Sequence, residues 1–187
     1  LHQQPLSELR ERTGLAIRKR ARGREDFRLS REEKILVSEI SRSGEARNWT
    51  AAKSFFAEYS GTAPPVYGAA LHAAFRCRKY QEGEEIYERC RSNCEVLTQP
   101  IYTAALRIFA KLGEAAKVQQ IWDDALKRLE SWDAILGSAR IAAAADAGDV
   151  EAAAGTLDAM NASNISIEVH HINSAMRACW GWGDDQH

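Results

Sequence analysis

The sequence predicts an all-α chain, an α-solenoid of about four to five helical hairpins with a repeat of about 35 residues. Gly113, Gly148 and Gly183 stand 35 residues apart, and Tyr67 and Tyr102 show the same spacing. Apolar residues recur at i, i+3/i+4 helical spacing, with no strand-like alternation of β-branched residues. Self-similarity at a period of 20–50 residues indicates units that bury their apolar faces by stacking on one another.

The repeat divides the chain into successive units. Hairpins are predicted over about 32–60, 66–94, 101–129 and 136–161, with a partial unit over 170–187. The first hairpin is looser, because Leu36 precedes Tyr67 by 31 residues rather than 35. Together, residues 32–187 therefore form the predicted solenoid.

Glycines and prolines punctuate these units. Gly113 and Gly148 fall between the two helices of a hairpin, where glycine closes the first helix in a left-handed conformation. Pro64, Pro65 and Pro100 are expected in the connections between hairpins, where a missing backbone N–H does no harm.

Residues 1–31 form a basic N-terminal arm without a sustained apolar period. Residues 1–34 hold ten Lys or Arg against six acids, whereas the remaining chain holds 15 bases and 20 acids. We expect the arm to bind an anionic surface, either RNA phosphate or an acidic protein. Its candidate contact residues are Arg18, Lys19, Arg20, Arg22 and Arg24. Since the sequence opens at Leu1, we also expect it to be part of a longer chain.

Several functional classes find no support in the sequence. No apolar run approaches the roughly 18 residues of a membrane span, and no paired-carboxylate, nucleophile-elbow or phosphate-loop pattern indicates catalysis. Cys90 and Cys94 share a helix face but lack a second close pair, which favours buried thiols over a metal site. His170 and His171 are interpreted as a solvated helix start. We therefore predict no catalytic residue, metal or cofactor.

Hairpins with this period, an aromatic residue near the start of the first helix, and the run GDVEAAAGTLDAM at 148–160 resemble pentatricopeptide repeats. The resemblance covers about residues 32–184 and is strongest over 66–160. It implies an organellar protein, in the mitochondrion or plastid, that binds single-stranded RNA at one nucleotide per repeat.

The resemblance also implies which side chains read the bases. One base-reading residue directly follows the aromatic position of the repeat, and the other is the last residue of the repeat. The first slots are Val37, Gly68, Thr103, Ser138 and Asn173, and the closing slots are Ala63, Thr98, Asp133 and Glu168. Thr103 with Asp133 matches a combination that the family uses for guanine. Thr103, Asp133, Ser138 and Asn173 are the candidate RNA-binding residues.

Two functions remain open at this point. The first is an RNA-binding protein within a larger ribonucleoprotein assembly, with single-stranded RNA or rRNA and protein subunits as partners. The alternative is a structural or adaptor subunit, for example of a mitochondrial ribosome, because several reader slots carry little hydrogen-bonding capacity. Trp180 and Trp182 lie on an unfinished hairpin, and we expect either a further repeat or a protein partner to cover them.

Overall fold

The computed structural model describes residues 28–180, and within that range every regular element is an α-helix. This confirms the all-α class. The helices are α1 (Arg31–Glu45), α2 (Trp49–Ala57), α3 (Pro64–Arg76), α4 (Tyr80–Asn93), α5 (Gln99–Lys111), α6 (Ala115–Arg128), α7 (Ala134–Ala147), α8 (Val150–Ala162) and α9 (Val169–Cys179).

The prolines differ from their predicted placement. Pro64 and Pro65 open α3, and Pro100 lies in the first turn of α5, so none of them lies in a connection. The first-turn amides of a helix have no intrahelical acceptor, so proline loses nothing there and its fixed φ suits the helix. Helices α3 and α5 consequently begin two residues before their expected starts at 66 and 101.

The helices form two layers. The odd-numbered helices α1, α3, α5, α7 and α9 pack side by side in chain order. Each even-numbered helix packs against the odd-numbered helix before it and the one after it. No two even-numbered helices of the described chain pack against each other, so grooves separate them.

Burial follows from this layering. An odd-numbered helix is covered on several sides, whereas an even-numbered helix is covered on one. Helix α5 buries eight of its 13 residues, but α6 buries only four of its 14, at the i, i+3, i+4 and i+7 positions of a single stripe. The stripe on α6 consists of Val118, Ile121, Trp122 and Ala125.

Left-handed residues close the first helix of each hairpin. Gly113 and Gly148 have φ of 76° and 67°, as predicted, and Arg47 and Arg78 take the same conformation at 54° and 57°. These residues are 31, 35 and 35 residues apart. In each turn the following amide donates to a carbonyl five residues earlier, at 2.8–3.0 Å, which satisfies the helix end.

The apolar core weakens toward the last helices. One cluster runs continuously from α1 into α7. A second, smaller cluster joins α7, α8 and α9 and consists of alanines: Ala144, Ala145, Ala153 and Ala178. Alanine buries little apolar area, so we expect this end of the molecule to open more readily than the α3–α5 region.

A buried hydroxyl links α5 to α6. Tyr102 donates to a carboxylate oxygen of Asp124 at 2.7 Å, and Arg128 donates to its other oxygen at 2.6 Å. Burial acts to raise the pKa of Asp124, but the hydrogen bonds from Tyr102 and Arg128 outweigh it and hold that pKa below its usual value. Because the pKa of Asp124 is lower in the folded state, its ionised form stabilises the fold at pH values above the unfolded-state pKa. This stabilisation is lost as the pH falls through the folded-state pKa.

We therefore expect Tyr102→Phe to lower the free energy of unfolding by about 1–2 kcal/mol at pH 7. The difference from wild type should shrink as pH falls through and below the usual aspartate range, because Asp124 is then protonated. Urea unfolding across that pH range measures it. Tyr67→Phe is the matched control, since the Tyr67 hydroxyl bonds to the carbonyl of Gly61 and the side-chain amide of Asn93, and to no carboxylate within residues 28–180. A Tyr67→Phe effect with the same pH dependence would contradict this account.

The left-handed turns predict that replacing glycine by alanine has opposite effects on stability at two positions. Gly113→Ala should destabilise the protein by about 1 kcal/mol, because its φ is left-handed although space around it is open. Gly155→Ala should stabilise it by about 0.5–1 kcal/mol, because Gly155 is helical and its surroundings are equally open. Thermal or urea unfolding measures both. Equal signs for the two variants would contradict the assigned turn.

Candidate RNA-contacting surface

The predicted reader slots occupy equivalent places in successive hairpins. The first slots Gly68, Thr103, Ser138 and Asn173 are each the fifth residue of an odd-numbered helix. The closing slots Ala63, Thr98, Asp133 and Glu168 are each the N-cap of such a helix. These residues therefore take equivalent positions along successive helices, and their exposure decides what they can contact.

Thr103 does not have the open position that a base-reading side chain needs. It is 8% exposed, and its hydroxyl oxygen is buried without a hydrogen-bond partner among the described residues. Helix α5 is covered by α3, α4, α6 and α7, so Thr103 is enclosed although it is polar. The candidate RNA-binding residue Thr103 is therefore enclosed rather than open to the surface.

Asp133 is exposed, but its carboxylate is engaged in capping α7. It accepts hydrogen bonds from the amides of Ile135 at 2.8 Å and Leu136 at 3.3 Å. Such a cap satisfies amides that the helix itself leaves free. The sequence carries this signal, since an aspartate directly precedes an apolar helix.

Ser138 lies in a network with the first turn of α9. Its hydroxyl donates to the carbonyl of Ala134 at 2.7 Å and lies 2.8 Å from Nε2 of His171. Nδ1 of His171 accepts from the amide of Glu168, so in the neutral ring Nε2 carries the proton and donates to Ser138. The serine proton is thus directed away from the imidazole, which is not the arrangement of a base-activated nucleophile.

The expected solvated helix start is wrong for one of the two histidines. His171 is wholly buried, whereas His170 is exposed. The ring of His171 fills the contact between α7 and α9, where its two nitrogens satisfy a backbone amide and a hydroxyl. Among the described residues, no group of three or more potential ligands could hold a metal ion.

Helix α9 presents Asn173 and an apolar stripe to solvent. Asn173 is exposed, as a reader residue would be. Trp180 is 66% exposed, and Trp182 lies outside the described residues. The stripe on α9 consists of Val169, Ile172, Met176 and Trp180, all of them exposed.

A group of cations lies along α3, α5 and the neighbouring turns. Arg76, Arg78, Lys79 and Arg47 are exposed, and Arg107 is half-buried with its guanidinium 5.9 Å from the ring of Phe75. None of these cations forms an ion pair with a carboxylate of residues 28–180. We call Arg47, His72, Arg76, Arg78, Lys79 and Arg107 the basic surface.

The pKa of His72 responds to the charges of its neighbours in this surface. Partial burial is the main cause that lowers the pKa of His72, and the charges of Arg76 and Arg107 lower it further against the opposing effect of Glu45. Burial also lowers the pKa of Arg107. The surface therefore concentrates positive charge, which an anion would relieve.

The basic surface contains residues that the sequence analysis did not single out. His72 and Arg107 are 35 residues apart, and Arg177 follows 70 residues after Arg107, so the repeat spacing relates all three positions. Arg177 differs from the others, because it pairs with Asp146 at 3.3 Å, as Lys111 does at 2.9 Å. Among the described residues, Arg76 and Arg107 therefore have no carboxylate partner, whereas Lys111 and Arg177 are neutralised by Asp146.

Cys90 and Cys94 are buried thiols with their sulfurs 3.7 Å apart. Burial raises the pKa of both, which holds them in the protonated form that neither binds metal nor attacks readily. The pair thus belongs to the packing of α4 against α3 and the preceding loop.

The predicted contact residues of the arm, Arg18, Lys19, Arg20, Arg22 and Arg24, lie outside the described residues. No described helix combines the length and the apolar character required to cross a bilayer. No protein-family model matches the chain, and no curated protein matches it.

Asp133 permits a test that separates capping from base reading. Asp133→Ala should lower the free energy of unfolding by about 1 kcal/mol, because α7 loses its side-chain cap. Asp133→Asn should retain most stability, since asparagine also caps. Asp149→Ala is the matched control, because Asp149 caps α8 through the amide of Ala152 at 2.9 Å. If Asp133→Asn leaves stability intact but changes preference for guanine-containing RNA, Asp133 also reads a base.

Proposed function

We propose that this protein is a pentatricopeptide-like helical-repeat protein that binds single-stranded RNA within a larger organellar ribonucleoprotein assembly. The observation that carries the RNA-binding proposal is the basic surface on α3, α5 and the adjoining turns. Its cations have no carboxylate partner among the described residues, although the chain as a whole is slightly acidic.

Two independent spacings support the repeat. N-caps fall at Ala63, Thr98, Asp133 and Glu168, and left-handed turns fall at Arg78, Gly113 and Gly148, all at intervals of 35 residues. The alternation of odd-numbered and even-numbered helices in two layers is what stacked hairpins require. An organellar location rests on the resemblance of the sequence to the family.

The mode of binding that this surface favours is contact with the RNA backbone. Arginine donates planar, bidentate hydrogen bonds to phosphate, and phosphate neutralisation supplies most of the affinity of sequence-independent binding. The enclosed hydroxyl of Thr103 and the capping role of Asp133 argue against a guanine-specific pair at the third hairpin. Ser138 and Asn173 remain proposed contacts for RNA that extends toward α9.

We expect the double variant Arg76→Gln/Arg107→Gln to weaken binding to single-stranded RNA. Each lost phosphate contact should reduce the slope of log affinity against log salt by about 0.7, so by about 1.4 for the pair. Fluorescence anisotropy with labelled homopolymer and mixed-sequence oligonucleotides, repeated over a salt series, measures both affinity and slope.

Arg42→Gln/Arg91→Gln is the matched control, because both arginines are exposed but already paired to glutamates at 3.1 and 3.2 Å. That variant should bind RNA almost as wild type does. No RNA binding by the wild-type protein at moderate salt, or equal losses in both double variants, would contradict the proposal.

A structural or adaptor subunit is the alternative, and the apolar stripe of α9 favours it. Ile172 and Met176 are about half exposed, whereas Tyr102 and Leu106, 70 residues earlier in the same slots, are wholly buried. A protein surface that covers the stripe would complete the packing that α3 and α5 already have. Without RNA binding, this would become the leading function.

A further inference from the structure

The groove between α2 and α4 holds a charged side chain that no neighbour satisfies. Both helices pack against α3, but their backbones do not come into contact, and a cavity of about 230 Å³ lies between them. Trp49, Phe56 and Ile86 supply apolar walls, and Arg89 of α4 is part of the lining. This groove lies on the layer of even-numbered helices.

Arg89 turns inward onto aromatic rings. Its guanidinium carbon lies 4.1 Å from the ring centroid of Phe56 and 5.7 Å from that of Tyr67. Glu85 stands one helical turn before it, at the spacing of a favourable ion pair, yet no ion pair forms between them. The Tyr67 hydroxyl is already engaged, with the carbonyl of Gly61 and the amide of Asn93.

The guanidinium is left with unused donors. Nε and Nη2 of Arg89 are buried and have no hydrogen-bond partner among the described residues. These two nitrogens form one edge of the guanidinium, which a carboxylate accepts through two parallel hydrogen bonds. Contact with the rings offsets part of the cost of burying the charge, but the two donors keep their desolvation penalty.

We propose that the α2–α4 groove docks a protein segment that presents an aspartate or glutamate beside an apolar side chain. The carboxylate pairs with Arg89 once its guanidinium edge, buried in the free chain, rotates toward the groove, a rotamer change of the kind common at interfaces. The apolar side chain lies against Trp49 and Phe56. Aromatic residues and arginine are the types that dominate binding energy at protein interfaces. The cavity is smaller than the roughly 300–1,000 Å³ of small-molecule sites, which suits a side chain better than a cofactor.

The charges around the groove favour a single carboxylate over a nucleic acid. Lys53 adds a second positive charge, but Glu82 and Glu85 also line the groove. These glutamates repel a polyanion, whereas one carboxylate bonded to a guanidinium tolerates them. None of the residues that line the groove belongs to the basic surface, so this inference does not depend on RNA binding.

The test begins with selection from a random-peptide phage library on the purified full chain. We expect enriched peptides to carry an aspartate or glutamate next to an aromatic or aliphatic residue. Replacing that acid by its amide should weaken the synthetic peptide about tenfold or more in fluorescence anisotropy. Arg89→Met should cause a similar loss, while Arg91→Met, an exposed arginine of the same helix, should leave the affinity unchanged.

Arg89→Lys provides a second variant if Arg89→Met reduces the thermal stability too far. Lysine retains the positive charge but lacks the two parallel donors of the guanidinium, so this variant should still lower the affinity for the peptide severalfold. Enriched peptides without an acid, or unchanged affinity in both Arg89 variants, would overturn the proposal. So would a loss of RNA affinity in Arg89→Met without a loss of peptide affinity, because the groove would then belong to the RNA-contacting surface.

Discussion

The side-by-side packing of the odd-numbered helices is the constraint on which the rest of the structure depends. Small residues permit the close approach: a Cβ added at Gly44 of α1 would lie 2.8 Å from the Cβ of Ala73 in α3. The same contact layer encloses Tyr67 and Tyr102 completely. Because each odd-numbered helix has neighbours on several sides, few of its positions can hold a solvent-exposed polar side chain. Its exposed residues are confined to narrow edges and to the turns.

This packing divides the surface into two chemically different sides. On one side, cationic side chains of α3, of α5 and of the neighbouring turns form the basic surface. The even-numbered helices stand apart and leave grooves, and these grooves differ from each other. Lys117 crosses the α4–α6 groove to Glu88 at 2.7 Å, so the charges there are paired. In the α2–α4 groove, Arg89 faces aromatic rings, and two of its nitrogens have no hydrogen-bond partner in the described part of the chain. The same backbone arrangement thus presents two distinct binding environments.

The last hairpin departs from the others in its interior. Arg140 of α7 is 5% exposed and stands where α3 and α5 carry Ala70 and Ala105. It donates to Gln119 of α6 at 2.6 Å, and burial lowers its pKa. A buried arginine and an alanine-only cluster contribute less stabilisation than the aromatic contacts of the preceding hairpins. The apolar stripe of α9 is exposed because no described helix covers the outer face of α9.

The amino-acid sequence by itself determined the helices, their hairpin order and the turns at Gly113 and Gly148. Those features depend on residues within one or two helical turns, which sequence spacing reports directly. It did not determine the candidate site, because exposure depends on helices that lie about 30 residues apart in the chain. Tertiary packing buried Thr103 and His171, brought the basic surface together and turned Arg89 away from Glu85. Each of these outcomes depends on contact with a neighbouring helix, and the local sequence pattern does not specify which helix lies there.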